Sequence, residues 1–469
     1  MGLRPPRRRL IRGLLGAVVL SLLLSGGVLT LSYDPPELEA GTMASPANGS
    51  TVVATQGWNA RNTSLPDRPD RLVSVGPTGS VEWVHDGPST RNWFYDVDPL
   101  PDGNLLVVNP VPNATVVYEF DPKRGERLWT ERFERPDVHD VDLLDGGELL
   151  VAGIDYGRNA TSGDSVFVYN RTRDTVTWKW RFANHYPDDA GPGVDAEDWT
   201  HVNDVDPTGE GKFLVSVRNL DQVIVIDRAT KAIEMRLGRD DERGTLYEQH
   251  NPTRLDGENG TPTILVADSE NDRIVEYERT GGPPGEGTWE RVWTLSGGLN
   301  WPRDADRLPN GNTLVVDSMN HRVIEVTPTG EVVWEMYVPW ATYDAERVVH
   351  GDEPGGPTMD ELGVAGNWTV TGDGRVDTTG LPTVPAVVGS ALPGTPVAAA
   401  IQSSAARVQH VAPWVKPRWL PTWGFLAVAA ALLVGAVWAL GEAIHQRRRV
   451  RRAVAALPTY LRARVRRTD

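Results

Sequence analysis

Three histidines and one arginine are the residues of this sequence whose types best suit chemistry. Histidine occurs only nine times in 469 residues, and the group consists of His139, His201, Arg218 and His250. Near neutral pH an imidazole is a nucleophile, a general base or a metal ligand. A guanidinium presents a fixed fork of donors that suits sulfate, phosphate or carboxylate oxygens. Together they indicate transfer of an anionic sulfuryl or phosphoryl group, for which positioning and cationic donors supply most of the catalysis.

A metal ion held by three imidazoles is the competing chemistry. Arg218 argues against it, because its positive charge would repel a cation bound beside it. The sequence therefore predicts a site with no metal and no cofactor.

The four residues lie at matching places in an internal repeat. Each copy has a short alternating strand, a Gly/Asn/Asp turn and a Val/Leu-rich strand, followed by two further strands. The period of about 40–50 residues is that of one four-stranded propeller blade. An incomplete copy near residue 50 brings the number of blades to six, across residues 50–338. The sequence predicts an all-β protein, a six-bladed β-propeller flanked by two transmembrane helices.

Register within the repeat predicts that the site lies at one mouth of the propeller channel. The residues just before successive innermost strands are Tyr95, His139, Asn203, His250 and Arg303. His201 precedes this ring by two residues, and Arg218 follows the second strand of its blade. We therefore expect His139, His201, Arg218 and His250 to converge. The alternative is that each merely caps a turn or faces solvent.

Two other repeated features have structural interpretations. The tryptophans that recur near the ends of fourth strands are expected to pack between neighbouring sheets, and they are Trp83, Trp129, Trp178, Trp293 and Trp334. The aspartates of each Asp-x-Asp are expected to cap turns, since no loop has the ligand spacing of a calcium site.

Charge and composition exclude several classes of function. The net charge is −16, but residues 1–12 hold five arginines and residues 442–469 hold nine against two acidic residues. Subtracting these tails from the 47 basic and 63 acidic residues leaves a body of net charge −28. Such a body is not expected to bind nucleic acid. With only five lysines, it is typical of a halophile. The absence of cysteine excludes disulfides and thiol chemistry.

Two apolar segments predict membrane anchoring. Residues 13–31 follow an arginine cluster and are expected to form a signal-anchor helix, with a cleaved export signal as the alternative. Residues 419–441 carry tryptophan near both ends and precede a second arginine cluster. This pattern indicates a transmembrane helix followed by a basic segment that stays in the cytoplasm. Both termini are then cytoplasmic and the propeller is outside the cell membrane, where its seven Asn-x-Ser/Thr sequons are open to glycosylation. The remaining predicted segments are a basic tail (1–12), a linker (32–49), a Pro/Gly/Ala-rich linker (339–418) and a basic tail (442–469).

At the candidate site the sequence resembles the arylsulfotransferase family, and is closest to its membrane-anchored haloarchaeal members. The segments that carry the resemblance are residues 200–203 (Thr-His-Val-Asn), 216–219 (Ser-Val-Arg-Asn), 248–251 (Glu-Gln-His-Asn) and the Asp-Gly-Asn blade turns. The resemblance implies a six-bladed propeller and a ping-pong reaction. In it a histidine takes a sulfuryl group from an aryl sulfate, and a phenol then accepts the group from the sulfohistidine.

Carried over by position, the resemblance implies a role for each residue of the group. His250 matches the nucleophile, His201 and Arg218 match residues that bind the sulfuryl oxygens, and His139 matches a further histidine of the site. The disulfide and the N-terminal β-sandwich domain of secreted bacterial members have no counterpart in this sequence.

A second resemblance, to NHL-type propellers, supports an alternative. Residues 267–274 and 316–323 are similar to the core of that repeat. Such propellers bind protein or glycan without chemistry, so the alternative is a non-catalytic surface propeller. In either case His321 is expected to be a structural residue of a blade turn.

Overall fold

The computed structural model describes residues 7–35, 37–57, 59–60, 63–64, 68–86, 93–156, 163–209, 211–257, 260–372, 387 and 396–447. The chain forms two compact units, one of residues Pro36–Val376 and one of residues Met1–Pro35 with Asp377–Asp469. Most of the two basic tails and much of the predicted linker before the second apolar segment lie outside the described residues.

In the smaller unit the described residues form the helices α1 (Arg7–Leu31), α2 (Pro396–Val415) and α3 (Thr422–His445). Residues Arg9–Leu31 and Thr422–His445 are long and apolar enough to cross a membrane. The two helices pack side by side: a Cβ on Gly26 would lie 3.1 Å from Val428 and 3.3 Å from the Gly424 carbonyl oxygen. Small residues allow such close helix contacts in membranes. Arg12, near the start of α1, pairs with Glu442, near the end of α3, at 2.6 Å, so the two helices run antiparallel.

The larger unit is a six-bladed β-propeller, as predicted. Its strands are β1 (Glu39–Met43), β2 (Thr51–Thr55), β3 (Asn59–Ala60), β4 (Thr63–Ser64), β5 (Arg71–Val75), β6 (Val81–Asp86), β7 (Asp96–Pro99), β8 (Leu105–Val111), β9 (Ala114–Asp121), β10 (Glu126–Phe133), β11 (Val138–Leu143), β12 (Glu148–Gly153), β13 (Ser165–Asn170), β14 (Thr175–Arg181), β15 (Val202–Pro207), β16 (Lys212–Val217), β17 (Gln222–Asp227), β18 (Ile233–Gly238), β19 (His250–Asp256), β20 (Pro262–Asp268), β21 (Arg273–Gly281), β22 (Thr288–Ser296), β23 (Pro302–Arg307), β24 (Thr313–Asp317), β25 (Arg322–Val326), β26 (Val332–Tyr337), β27 (Thr342–Arg347) and β28 (Gly366–Thr369).

Blades one to five follow the repeat read from the sequence. They are the antiparallel sheets β7–β10, β11–β14, β15–β18, β19–β22 and β23–β26, each with its first strand innermost. Two blades gain a fifth, outer strand: β28 pairs in parallel with β22, and β1 pairs with β26. The alternating apolar residues of each sheet pack against the next sheet, so the core is a set of inter-blade layers. Trp293 and Trp334 are fully buried in these layers, in agreement with the packing role expected for the repeated tryptophans.

Blade six is built from both ends of the propeller sequence. Its order is β27-β2-β5-β6, so residues 342–347 supply the inner strand and residues 51–86 supply the other three. The sequence predicted that the propeller ends at residue 338. This inner strand lies beyond that residue, in a segment predicted to be a linker. The incomplete first copy lacked an inner strand because that strand comes from the other end of the chain.

The Asp-x-Asp aspartates have a different role from the turn capping expected of them. The first aspartate of one blade accepts a hydrogen bond from a backbone N–H of the next blade, as Asp344 does from Val97 at 2.9 Å and Asp304 does from Ala345 at 3.3 Å. These carboxylates therefore connect neighbouring inner strands around the channel. Blade four is the exception, because Pro252 stands at the donor position and has no N–H to donate.

Candidate functional site

Six buried side chains ring one mouth of the channel, one from the start of each inner strand. Five are those that the repeat register predicts, and Tyr343 of β27 completes the ring. All are at most 5% exposed, and they are Tyr95, His139, Asn203, His250, Arg303 and Tyr343. The Tyr343 ring centroid lies 4.6 Å from that of Tyr95, 5.9 Å from that of His139 and 6.0 Å from that of His250. Tyr343 therefore joins residues that come from three other blades.

The tautomer of His250 follows from its hydrogen bonds. Its Nδ1 lies 2.8 Å from Ser269 Oγ and 3.2 Å from the Glu248 carbonyl oxygen. A carbonyl oxygen only accepts, and Ser269 donates its one proton to the Pro302 carbonyl oxygen at 2.6 Å. Nδ1 must therefore carry a proton, which leaves a lone pair on Nε2 of the neutral ring.

The loop before His250 is held by buried hydrogen bonds. The side chain of Gln249 donates from Nε2 to the backbone carbonyl oxygen of Gln222 at 2.7 Å and to Ser216 Oγ at 3.1 Å. The backbone carbonyl oxygen of Gln249 accepts a hydrogen bond from the Asn203 side chain at 2.9 Å. Glu248 is bound by its backbone N–H to Asp221 at 2.9 Å. These bonds tie the start of β19 to blade three.

Arg218 is held beside this loop. It begins a 3-10 turn, Arg218–Leu220, that follows β16. Its guanidinium donates to the Glu248 carboxylate and, at 3.1 Å, to the Asn219 side chain, while its Nε has no hydrogen-bond partner. Arg218 is thus positioned through both terminal amino groups and keeps its Nε donor for a ligand.

His201 and His139 lie next to each other, with ring centroids 4.7 Å apart. His201 Nδ1 contacts the Asp198 carboxylate at 2.7 Å, so Nε2 is the nitrogen left to meet a ligand. Burial opposes ionisation of Asp198, but the hydrogen bond and charge of His201 and the charge of Arg218 outweigh it and lower the pKa of Asp198. His139 stacks on Tyr95 at 4.1 Å, and its Nδ1 lies 3.6 Å from Asp137.

Arg303 brings a second guanidinium into the pocket. It lies 4.5 Å from the ring centroids of both Trp301 and Tyr343, and it is only 5% exposed. Within the described ranges no carboxylate oxygen lies within 4 Å of it, and its Nε has no hydrogen-bond partner. Burial lowers the pKa of Arg303, although the group stays a cation at neutral pH. A buried cation without an anionic partner is costly, which favours binding of an anion at this place.

Burial and the positive charge of neighbouring side chains together determine the protonation state of His250 and His139. Burial lowers the pKa of His250 well below its ordinary value, and the charges of Arg303 and Arg218 lower it further. Burial lowers the pKa of His139 in the same way, with contributions from His201 and Arg303. Both imidazoles are therefore neutral at pH 7, in keeping with the free lone pair on His250 Nε2.

The backbone is strained where it meets the pocket. Five residues beside the ring that are not glycine have φ values between 35° and 55°, and they are His201, Glu248, Asn251, Trp301 and Ala341. Such conformations cost about 1–3 kcal/mol each and cluster at functional sites. Each lies within two residues of a ring position, so the strain accompanies the placement of pocket side chains.

The described residues offer no triad of imidazoles for a metal. Where three or more metal-ligating side chains approach within 4.8 Å of one another, all of them are carboxylates. The geometry thus lends no support to the three-histidine alternative.

Two of the NHL-like segments form equivalent turns. Ser269–Asn271 and Ser318–Asn320 are 3-10 turns, each followed by a residue in the left-handed conformation. Arg273 pairs with Asp268 at 2.6 Å, and Arg322 pairs with Asp317 at 2.7 Å. The similarity between these segments is thus a similarity of turn construction.

His139, His201, Arg218 and His250 thus line one pocket, and three further residues join them. Arg303 stands in the predicted ring but was not assigned to the site. Tyr343 was missed, although residues 343–346 (Tyr-Asp-Ala-Glu) repeat the pattern of residues 95–98 (Tyr-Asp-Val-Asp). Ser269 occupies the repeat position of Arg218, directly after the second strand, and that register is the signal that identifies it.

Comparison with known proteins gives one family match. The model of the family described as Arylsulfotransferase (ASST) matches residues 62–277. This stretch ends in blade four and contains all four predicted site residues. Arg303 and Tyr343 lie beyond it. No curated protein matches the chain.

Solved structures similar to this chain include three bacterial proteins. A protein of unknown function from Bacteroides caccae is 14% identical, covers 69% of this chain and 98% of its own, and has a TM-score of 0.43. A putative 6-phosphogluconolactonase from Bacteroides fragilis is 11% identical, with 64% and 99% covered and a TM-score of 0.40. An inactive variant of virginiamycin B lyase from Staphylococcus aureus is 8% identical, with 64% and 88% covered and a TM-score of 0.38.

Proposed function

We propose that this protein is an arylsulfotransferase-like enzyme that moves a sulfuryl group from an aryl sulfate to a phenol through His250. The match of residues 62–277 to the arylsulfotransferase family supports the reaction class. The observation that carries the proposal is the state of His250, a buried, neutral imidazole with its Nδ1 proton bound to Ser269 and Glu248.

In the first half-reaction the lone pair of His250 Nε2 attacks sulfur. An N–S bond forms and the S–O bond to the aryl group breaks, with its electron pair leaving on the phenolate oxygen, which takes a proton from solvent. In the second half-reaction the oxygen of another phenol attacks the same sulfur, the N–S bond breaks with its electron pair returning to Nε2, and the phenol gives up its proton to solvent. Neither half-reaction needs an oxidant, a metal or a nucleotide.

The surrounding residues suit the charge and shape of this substrate. A sulfuryl group in transfer carries negative charge on its three outer oxygens, which cationic donors stabilise. Arg218 and Arg303 are the cationic donors at hand, with His201 and the neutral His139 beside them. The rings of Tyr95, Tyr343 and Trp301 offer faces against which a planar aryl group can stack.

Membrane anchoring is the second part of the proposal. Helices α1 and α3 are apolar enough to span a bilayer, and their arginine clusters favour cytoplasmic termini. The propeller then lies outside the cytoplasm. This location suits the proposed reaction, because the reaction uses no nucleotide sulfate donor. The acidic body and scarce lysine favour a haloarchaeal type that works in concentrated salt.

Mass spectrometry of the full chain, purified in detergent and molar salt, tests the reaction. After incubation with a chromogenic aryl sulfate, we expect a sulfuryl adduct on His250 and release of the phenol. In His250→Ala both should be lost, a decrease of more than ~10³-fold, because the nucleophile is gone. The matched control is His185→Ala, which removes an exposed histidine of blade two and should change neither signal.

The opposite outcome favours the non-catalytic alternative. A folded wild-type chain that releases no phenol and forms no adduct, with any of several aryl sulfates, contradicts the proposal. An adduct that persists in His250→Ala contradicts the assignment of the nucleophile.

A further inference from the structure

A second ring of side chains lies in the channel, beneath the ring that holds the histidines. It comes from the inner-strand position three residues after each ring residue. The ring consists of Asp98, Asp142, Asp206, Thr253, Asp306 and Glu346. Four of these five acids are at most 7% exposed, and the fifth, Asp206, is half-buried. The apolar residues that alternate with these acids, such as Val97 and Val141, belong to the inter-blade core. The acids therefore face the channel.

This second ring lacks the hydrogen bonds of the aspartates above it. The first aspartate of each Asp-x-Asp binds a backbone N–H of the next blade where one is offered. By contrast, Asp142 Oδ2, Asp306 Oδ2 and Glu346 Oε2 are buried atoms without a hydrogen-bond partner. A buried carboxylate oxygen in that state is rare unless something else binds it.

A loop adds another carboxylate to the channel. Asp352 follows β27 and is half-buried, so it connects the ring to solvent. Ligand oxygens of Asp98, Asp142 and Asp352 lie within 4.8 Å of one another, and so do those of Asp304, Asp344 and Glu346. Two strands and a loop thus bring the first three carboxylates together, and two other strands bring the second three together.

The electrostatics of this cluster are unfavourable without a counter-charge. Burial raises the pKa of Asp98 and Asp142 well above the ordinary value, and neighbouring carboxylates raise it further. For Asp352 burial raises the pKa to about 6. For Asp98 and Asp142, the charged groups that raise the pKa are all other carboxylates. The oxygens of Asp98, Asp142 and Asp352 are close enough to share one bound cation, which would offset their mutual repulsion.

We propose that Asp98, Asp142 and Asp352 bind one hard divalent cation, Ca²⁺, in the propeller channel. All the donors are carboxylate oxygens, which hard cations prefer. Ca²⁺ accepts a variable number of such ligands, whereas Mg²⁺ demands a near-ideal octahedron and keeps several waters. The partnerless oxygens of Asp306 and Glu346 supply further negative charge around the ion. The site is separate from the proposed sulfuryl transfer and does not depend on it.

Ion binding to the full chain tests this proposal. The detergent-purified protein is treated with a chelator, dialysed in molar KCl with and without micromolar CaCl₂, and its calcium content is measured by mass spectrometry. We expect one Ca²⁺ per chain in the wild type and at least a tenfold weaker affinity in Asp352→Asn. The matched control is Asp360→Asn, which neutralises an exposed acid of the same segment and should bind Ca²⁺ as the wild type does.

Thermal unfolding of the same variants distinguishes an ion site from a merely structural role. With Ca²⁺ the wild type should unfold at a higher temperature than Asp352→Asn, because the ion binds only the folded state. Without Ca²⁺ the order should reverse, since the substitution removes one of several mutually repelling charges. Asp142→Asn should give the same crossover, and circular dichroism confirms that each variant is folded.

Three results would overturn the proposal. They are a wild type that retains no Ca²⁺, equal Ca²⁺ affinity in Asp352→Asn, and a wild type that KCl or MgCl₂ stabilises as much as CaCl₂ does. None of them bears on whether His250 accepts a sulfuryl group, so the two proposals fail separately.

Discussion

The hydrogen bond between His250 Nδ1 and Ser269 Oγ determines which nitrogen of that ring can react. Ser269 can accept this bond only because its own proton is committed to the Pro302 carbonyl oxygen. The serine is therefore a positioning residue, which selects the tautomer and the orientation of the imidazole. Its effect is separate from that of the guanidinium groups, which act on the charge of the pocket.

Ser269→Ala should slow formation of the sulfuryl adduct without removing it. The Glu248 carbonyl oxygen still accepts from Nδ1, so the tautomer persists while the ring is less well held. The lost bond contributes about 1 kcal/mol, and we expect about a fivefold to tenfold lower rate of the first half-reaction. Stopped-flow measurement of phenol release gives this rate, with Ser318→Ala, at the equivalent turn of blade five, as the control. An unchanged rate in Ser269→Ala would refute the positioning role.

Arg303→Gln should shift the pH dependence of the reaction. Burial is the first cause of the lowered pKa of His250, and the charge of Arg303 is the next. Removing that charge makes the imidazolium less unfavourable, so the pKa of His250 rises and the acid limb of kcat/KM moves to higher pH. We also expect kcat/KM at its optimum to fall about 10²-fold, because an anion-stabilising donor is lost.

The control for this prediction is Arg303→Lys, which keeps the positive charge. Profiles of phenol release across the acid range should show its acid limb close to that of the wild type. If the limb of Arg303→Gln stays in place or moves to lower pH, Arg303 does not act on the charge state of His250.

At the scale of elements, β27 closes the propeller. It pairs along β2 from Thr51↔Arg347 to Thr55↔Thr342, and it brings Tyr343 into the pocket. Asp344 also binds blade one through the Val97 N–H. One short strand thus completes the sixth blade, the ring of pocket residues and the sequence of inter-blade bonds.

Truncation tests the role of this strand. A chain of residues 36–338 lacks β27, and we expect it not to fold, because the lost contacts are comparable to the whole stability of a domain, about 5–15 kcal/mol. A chain of residues 36–376, which matches the compact unit, should unfold cooperatively. Circular dichroism during chemical unfolding measures both. A cooperative transition in the shorter chain would show that the ring can close without β27.

At the scale of the whole molecule, charge and hydropathy distinguish an acidic propeller from a unit with two apolar helices. The propeller carries most of the negative charge, whereas the smaller unit contains the two apolar helices. Arg12 lies near the N-terminal end of α1, and Glu442 lies near the C-terminal end of α3. Because these two residues form an ion pair, those two helix ends lie on the same side. This arrangement is compatible with the proposed topology, in which both termini are cytoplasmic.

Cysteine labelling tests the topology directly, since the chain has no cysteine of its own. Ser45→Cys places a thiol on an exposed position of the propeller unit, and Thr468→Cys places one near the C-terminus. In intact cells a membrane-impermeant maleimide should label the first and not the second, with a difference of at least about tenfold. Lysed cells should give equal labelling. Labelling of Thr468→Cys in intact cells would exclude a cytoplasmic C-terminus.

The sequence by itself determined the features that are periodic along the chain. Strand alternation, Gly/Asn/Asp turns and a blade-length repeat predicted the six-bladed propeller, and hydropathy predicted the two helices. Register within the repeat also predicted that His139, His201, Arg218 and His250 lie together, because equivalent positions of successive blades share one mouth of the channel. The functional roles assigned to these residues remain predictions.

Only the tertiary structure decided what depends on contacts between distant segments. The inner strand of blade six comes from residues 342–347. A closed propeller must join the two ends of its sequence in one blade, and no local sequence pattern shows which segment supplies the closing strand. The proton on His250 Nδ1 depends on Ser269 and on the Pro302 carbonyl oxygen, which lie 19 and 52 residues away along the chain. The sequence predicted that the Asp-x-Asp acids cap turns, yet they converge in one channel because five separate inner strands bring them there.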